Sequence, residues 1–176
     1  MKTKFDPRAV GVSFPKNVKL EYRPFADYFR GFDQVEAVRR IFGTRTSRVL
    51  QSLEVEFFSS KWGYMGVSDE DGHLVVSAHY LRTGSRRDIY LDVVHELVHV
   101  KQFQDGRQLF PENFEYSTAP TEIEAYKVCI AEGRRLGMTD REVLEYLKVP
   151  WMDDKDWRRL ARNLGLKPPT PKKKRR

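Results

Sequence analysis

The chain has 176 residues, 40% apolar and 32% charged, enough for one folded domain with a hydrophobic core and in the range of an ordinary globular protein. Its longest apolar stretches are interrupted by charges and fall short of a bilayer span, so no membrane partner is expected. The formal charge is +7, but Lys172, Lys173, Lys174, Arg175 and Arg176 carry five of those charges, leaving residues 1–171 near neutral at +2, which argues against a body built to grip nucleic acid.

Residues 1–30 mix aromatics with Pro7, Pro15 and Pro24 without a clean period and read as extended segments and loops. The start of the chain has no apolar run after its lysines, and the single cysteine, Cys129, cannot form an internal disulfide; both point to a cytoplasmic location. Residues 33–42 read as a helix, with Val35, Val38, Ile41 and Phe42 on one face and Gly43 as the stop. Residues 49–58 read as a strand in which Leu53, Val55 and Phe57 alternate with Glu54 and Glu56. Residues 62–67 and 73–80 flank Asp69-Glu70-Asp71-Gly72, a hairpin signal. In the second of these strands Leu74, Val76, Ala78 and Tyr80 share a side, and His73 reads as a surface residue beside the turn.

From Ser85 the pattern becomes helical. Ser85 with Asp88 resembles a cap, and the helix can run to about Gln104 before Asp105-Gly106. A loop over 107–118 leads to a second helix from Pro120 to Gly137. Thr139 with Glu142 forms a capping box for a third helix over 140–148, and Asp153 or Asp154 opens a fourth over 156–164. The order (helix, strands with a hairpin, helices) predicts an α+β fold.

The first long helix contains His95-Glu96-Leu97-Val98-His99. Histidines four apart on a helix share a face, separated by about 6 Å of rise, so both imidazoles can meet one ion. Glu96 stands beside such an ion rather than on it, where it can take a proton from the attacking water. A five-residue match is short enough to arise by chance. The setting adds weight: Ile89, Tyr90, Leu91, Val93, Val94, Leu97, Val98, Val100 and Phe103 make the helix apolar on nearly every side, and buried histidines and a glutamate need partners.

A catalytic zinc site takes three protein ligands and keeps a position open. No histidine follows His99, which leaves Glu112, Glu115, Glu122, Glu124 and Glu132 as downstream donors. Glu122 is the best placed, sharing a helix side with Ala125, Tyr126, Cys129, Gly133 and Leu136. Glu124 is second: it lies with Lys127, Val128, Ala131, Arg134 and Arg135, and could instead close a capping box with Thr121. Tyr116, Tyr126 and His79 are candidates for stabilising the oxyanion. Cys129 is expected to be buried and inert.

His95-Glu96-Leu97-Val98-His99 followed by Glu122-Ile123-Glu124-Ala125-Tyr126 resembles the HExxH…ExxA pattern of gluzincin metallopeptidases, over roughly residues 85–137. The resemblance implies a zincin-like catalytic domain with a small antiparallel or mixed sheet. It further implies Zn2+ held by His95, His99 and Glu122, and Glu96 as the general base of a metalloendopeptidase acting on peptide or protein substrates. Many relatives carry Asp or Asn where Tyr126 stands, to orient a ligand histidine; here Tyr126 or Asp92 would take that part. In that clan an edge strand of the sheet pairs with the extended substrate.

The domain organisation expected is a catalytic domain over 1–138, a helical pair over 139–166 and a basic tail over 167–176. The helical pair, with Arg158, Arg159 and Arg162, sustains a rival reading as a DNA-associated regulatory protein. The simpler alternative packs Leu144, Leu147, Trp157, Leu160 and Leu164 inward with the arginines in water. A non-catalytic zinc-binding fold is the third reading.

Overall fold

The computed structural model describes residues 5–170; it keeps the coarse class expected from the sequence and adds elements that the sequence reading lacks. The basic run at 172–176 therefore lies outside the described residues. The fold is α+β with a small mixed sheet and several helices. Among the described residues no helix is long and apolar enough to cross a membrane. The chain divides into two compact units, Met1–Leu109 and Phe110–Arg176.

The first unit holds β1 (Tyr22–Pro24), α1 (Phe25–Tyr28), α2 (Glu36–Phe42), α3 (Thr46–Ser52), β2 (Glu54–Phe58), β3 (Met65–Val67), β4 (Leu74–Ser77), α4 (Ala78–Thr83) and α5 (Arg86–Gln104). The sheet order is β1-β2-β4-β3, with β2 and β4 parallel and the two outer pairings antiparallel. The β3–β4 hairpin is closed by Gly72, whose φ of 81° suits glycine, and a Cβ there would lie 2.4 Å from the Phe103 ring. Glycine is thus required twice, once by the turn and once by the approach of the hairpin to α5.

Several boundaries differ from the sequence reading, each for a local reason. The stretch up to residue 30 is more than loop: Asp6 caps a 3-10 turn at Pro7–Val10, and β1 joins the sheet. The helix expected over 33–42 is split, with a 3-10 turn at Phe32–Gln34, an extended Val35, and α2 only from Glu36. The strand expected over 49–58 begins at Glu54. Val49, Leu50 and Leu53 are all buried, a helical spacing, and true alternation starts only at Leu53. The strand expected over 62–67 is shortened because Ser60 Oγ accepts the backbone N–H groups of Trp62 and Gly63, which holds a turn. The strand expected over 73–80 ends at Ser77, whose Oγ accepts the Tyr80 N–H and caps α4. His79 and Tyr80 therefore sit on a helix. His73 is not a simple surface residue: its ring meets the Tyr22 hydroxyl at 2.8 Å, Asp71 at 2.5 Å and Glu56 at 3.3 Å, tying β1 and β2 to the hairpin. The hydrogen bond from His73 holds the Asp71 carboxyl below its ordinary range.

The helix α5 is capped by Ser85, as expected, and is buried on every side from Ile89 to Val100 except at Asp92. Its first half is anchored in an aromatic cluster. Tyr90 stacks on Phe32 at 5.7 Å between ring centroids, Phe32 meets Phe25 edge-on at 6.0 Å, and Phe25 stacks on Phe29 at 4.9 Å. Phe32 is fully buried. The substitution Phe32→Ala is expected to destabilise the protein by about 3–5 kcal/mol in urea unfolding. A loss under about 1 kcal/mol would mean that this cluster does not anchor α5.

The second unit holds α6 (Pro120–Arg135), α7 (Asp140–Tyr146) and α8 (Asp154–Asn163), preceded by a 3-10 turn at Tyr116–Thr118. Here α6 starts from Ala119 with Pro120 in its first turn, so Thr121 and Glu124 do not form the capping box considered above. The box between Thr139 and Glu142 is present, and Asp153 caps α8. The Trp157 indole N–H donates to the Leu144 carbonyl at 3.1 Å and docks α8 on α7, with Leu147 and Leu160 buried. Arg158 is ion-paired with Asp154, and Arg159 with Glu115 and Asp156.

Candidate metal centre

The all-round burial of α5 leaves its polar residues few places to point. His95 and His99, one turn apart, bring their Nε2 atoms to 3.0 Å, with ring centroids 4.7 Å apart and planes inclined at 70°. His99 Nδ1 lies 2.8 Å from the side-chain oxygen of Gln102, which is itself buried. Glu96, between the two histidines in sequence, is also buried.

On α6, Glu122 is buried along with Ala125, Tyr126, Cys129 and Gly133, whereas Glu124 is exposed along with Lys127, Ala131, Arg134 and Arg135. The face assignment made from the sequence therefore describes the helix well. Glu122 also stands in the first turn of α6, where the N-terminal end of the helix dipole favours a carboxylate. His95, His99 and Glu122 each offer one ligand atom, and these atoms all lie within 4.8 Å of one another. This buried His-His-Glu group could hold a metal ion.

The donor set fits such an ion. Two ligands on a tetrahedral zinc at 2.0–2.1 Å are separated by about 3.3 Å, close to the observed separation of the two Nε2 atoms. Imidazole nitrogens with one carboxylate oxygen suit several divalent transition metals, zinc among them.

The other acidic candidates are accounted for differently. Glu132 is buried but accepts two hydrogen bonds from the Arg135 guanidinium, at 2.8 and 2.7 Å; Glu112 and Glu115 are exposed. Of the three residues considered for the oxyanion, Tyr116 and Tyr126 join their hydroxyls at 2.7 Å, and Tyr126 lies one turn beyond Glu122 on the same buried face. His79 lies instead on α4, half-buried, with Nδ1 3.3 Å from Arg82. Asp92 accepts the Tyr80 hydroxyl at 2.5 Å; burial, then the Asp92 carboxylate, push that hydroxyl far above the ordinary tyrosine range. Cys129 is buried and forms no disulfide.

The residue that sequence reading missed is Gln102. The sequence offers Tyr126 or Asp92 for orienting a ligand histidine; Gln102, which it does not single out, lies against His99 Nδ1. A signal was present: Gln102 stands three residues after His99, on the same side of the helix.

No protein-family model matches this chain, and no curated protein or solved structure matches it. The chemistry assigned to the centre rests on its own atoms.

Proposed function

We propose that the protein is a zinc metalloendopeptidase of the gluzincin kind, with His95, His99 and Glu122 holding the ion and Glu96 as general base. The observation that carries this reading is the buried group of two imidazoles and one carboxylate whose ligand atoms lie within 4.8 Å of one another. Three protein ligands leave a fourth position for water or substrate. When bound, zinc polarises the scissile carbonyl and brings the pKa of the attacking water toward ~7. Glu96, adjacent to a ligand but outside the ligand group, takes the proton from that water as the new C–O bond forms. It then delivers the proton to the amine nitrogen as the C–N bond breaks.

The sheet supports a peptide substrate. Gly66 pairs with Val75, the Tyr64 carbonyl accepts the Ser77 N–H, and the Ser68 N–H donates to the His73 carbonyl. Residues 64, 66 and 68 thus face β4, and by the alternation of an antiparallel ladder Met65 and Val67 turn their backbone groups outward. β3 is an outer strand of the sheet and packs against α5, the helix that carries both histidines. An extended peptide adding to that edge would run alongside the motif helix.

Metal removal tests the reading. Hydrolysis of a fluorescently labelled, unfolded protein substrate is expected to disappear after exhaustive chelation and to return with one equivalent of zinc. Hydrolysis that survives complete removal of metal would overturn the proposal. A protein that binds zinc stoichiometrically and cleaves nothing would establish the structural-site alternative instead.

A further inference from the structure

We infer that Gln102 is the positioning residue of this centre, selecting through its side-chain oxygen the tautomer of His99 that carries the lone pair on Nε2. The inference rests on the metal reading above only in taking His99 as a ligand.

A glutamine only 2% exposed on an apolar helix is costly unless its amide is hydrogen-bonded. Three residues after His99 it shares that histidine's side of α5, and its Oε1 sits 2.8 Å from Nδ1. A carbonyl oxygen can only accept, so Nδ1 must carry the proton. A neutral imidazole holds one N–H, so Nε2 then presents its lone pair, and Nε2 is the atom turned toward His95 Nε2 at 3.0 Å. The same hydrogen bond fixes the rotation of the ring, so the donor orbital is aimed before any ion arrives. Without it, that hold on the Nδ1 proton is lost. With the proton on Nε2, His99 would have to change tautomer before it could bind.

The identity of the acceptor adds a second expectation. A carboxylate in this place would pull harder on the Nδ1 proton and make Nε2 a stronger donor than a neutral amide does. The substitution Gln102→Glu should therefore match or exceed the wild type in metal affinity, whereas Gln102→Leu should fall below it.

The experiment combines nitrogen-15 spectra of the zinc-free protein, which separate protonated from bare ring nitrogens, with zinc affinity by chelator competition. It uses the wild type, Gln102→Leu and Gln102→Glu. In the zinc-free wild type, at a pH where His99 is neutral, the proton is expected on Nδ1. Gln102→Leu is expected to shift it toward Nε2 and to weaken zinc binding roughly 10–100-fold, and Gln102→Glu to restore binding to the wild-type value or better. A bare Nδ1 in the wild type overturns the inference, as does Gln102→Leu with wild-type affinity. Should Gln102→Leu fail to fold, the wild-type spectrum and the ranking of Gln102→Glu still decide. If the wild type takes up no zinc, the metal reading fails, and the spectrum judges the tautomer by itself.

Discussion

Glu96→Gln is expected to lower peptide hydrolysis at least ~10²-fold while the protein still binds one equivalent of zinc. The two side chains have nearly the same shape, so packing around position 96 changes little. What is lost is the capacity to accept a proton. A hundredfold loss corresponds to about 2.7 kcal/mol of transition-state stabilisation, within reach of one general base. Glu96 lies outside the His95–His99–Glu122 group, so metal content should not follow activity. Initial rates and metal analysis on the same preparations decide the matter. An unchanged rate removes Glu96 from the mechanism, and loss of zinc together with activity would recast it as a ligand.

Glu122→Ala and Glu124→Ala should part company sharply. Two residues apart on α6, the pair point to different sides: Glu122 is buried with the small apolar face and belongs to the group that could hold a metal ion, and Glu124 is exposed. Removing a ligand should weaken zinc by more than the roughly 10–100-fold that loss of a supporting hydrogen bond costs. Glu122→Ala is thus expected to elute from purification with little zinc, and Glu124→Ala with a full equivalent. Both substitutions put alanine in a helix, so helix propensity moves the same way in each and cannot produce the difference. Equal zinc content in the two variants would sink Glu122 as the third ligand.

Much of the framework was legible in the sequence because the rules that govern it are local. The all-round apolarity of residues 89–100 states that α5 is buried, and the four-residue spacing of His95 and His99 puts both on one face. The alternation of small and charged residues along α6 separates Glu122 from Glu124. Caps at Ser85 and Thr139 were readable for the same reason, since each involves a side chain and a backbone N–H three residues apart, while the sequence left Asp153 and Asp154 open and the structure has Asp153.

Other features were settled only by packing. The parallel pairing of β2 with β4 joins segments some twenty residues apart, which no short-range pattern encodes. The contact between His99 and Gln102 belongs to this class too. Sequence spacing could put Gln102 on the right side of α5, but the 2.8 Å contact depends on two buried side chains being held in compatible rotamers. By itself, then, the sequence determined which residues could gather around an ion, because periodicity dictates faces. Only the tertiary structure decided that their ligand atoms come within 4.8 Å of one another and that a glutamine holds one of the rings, because distance and orientation arise from side chains packed from several elements at once.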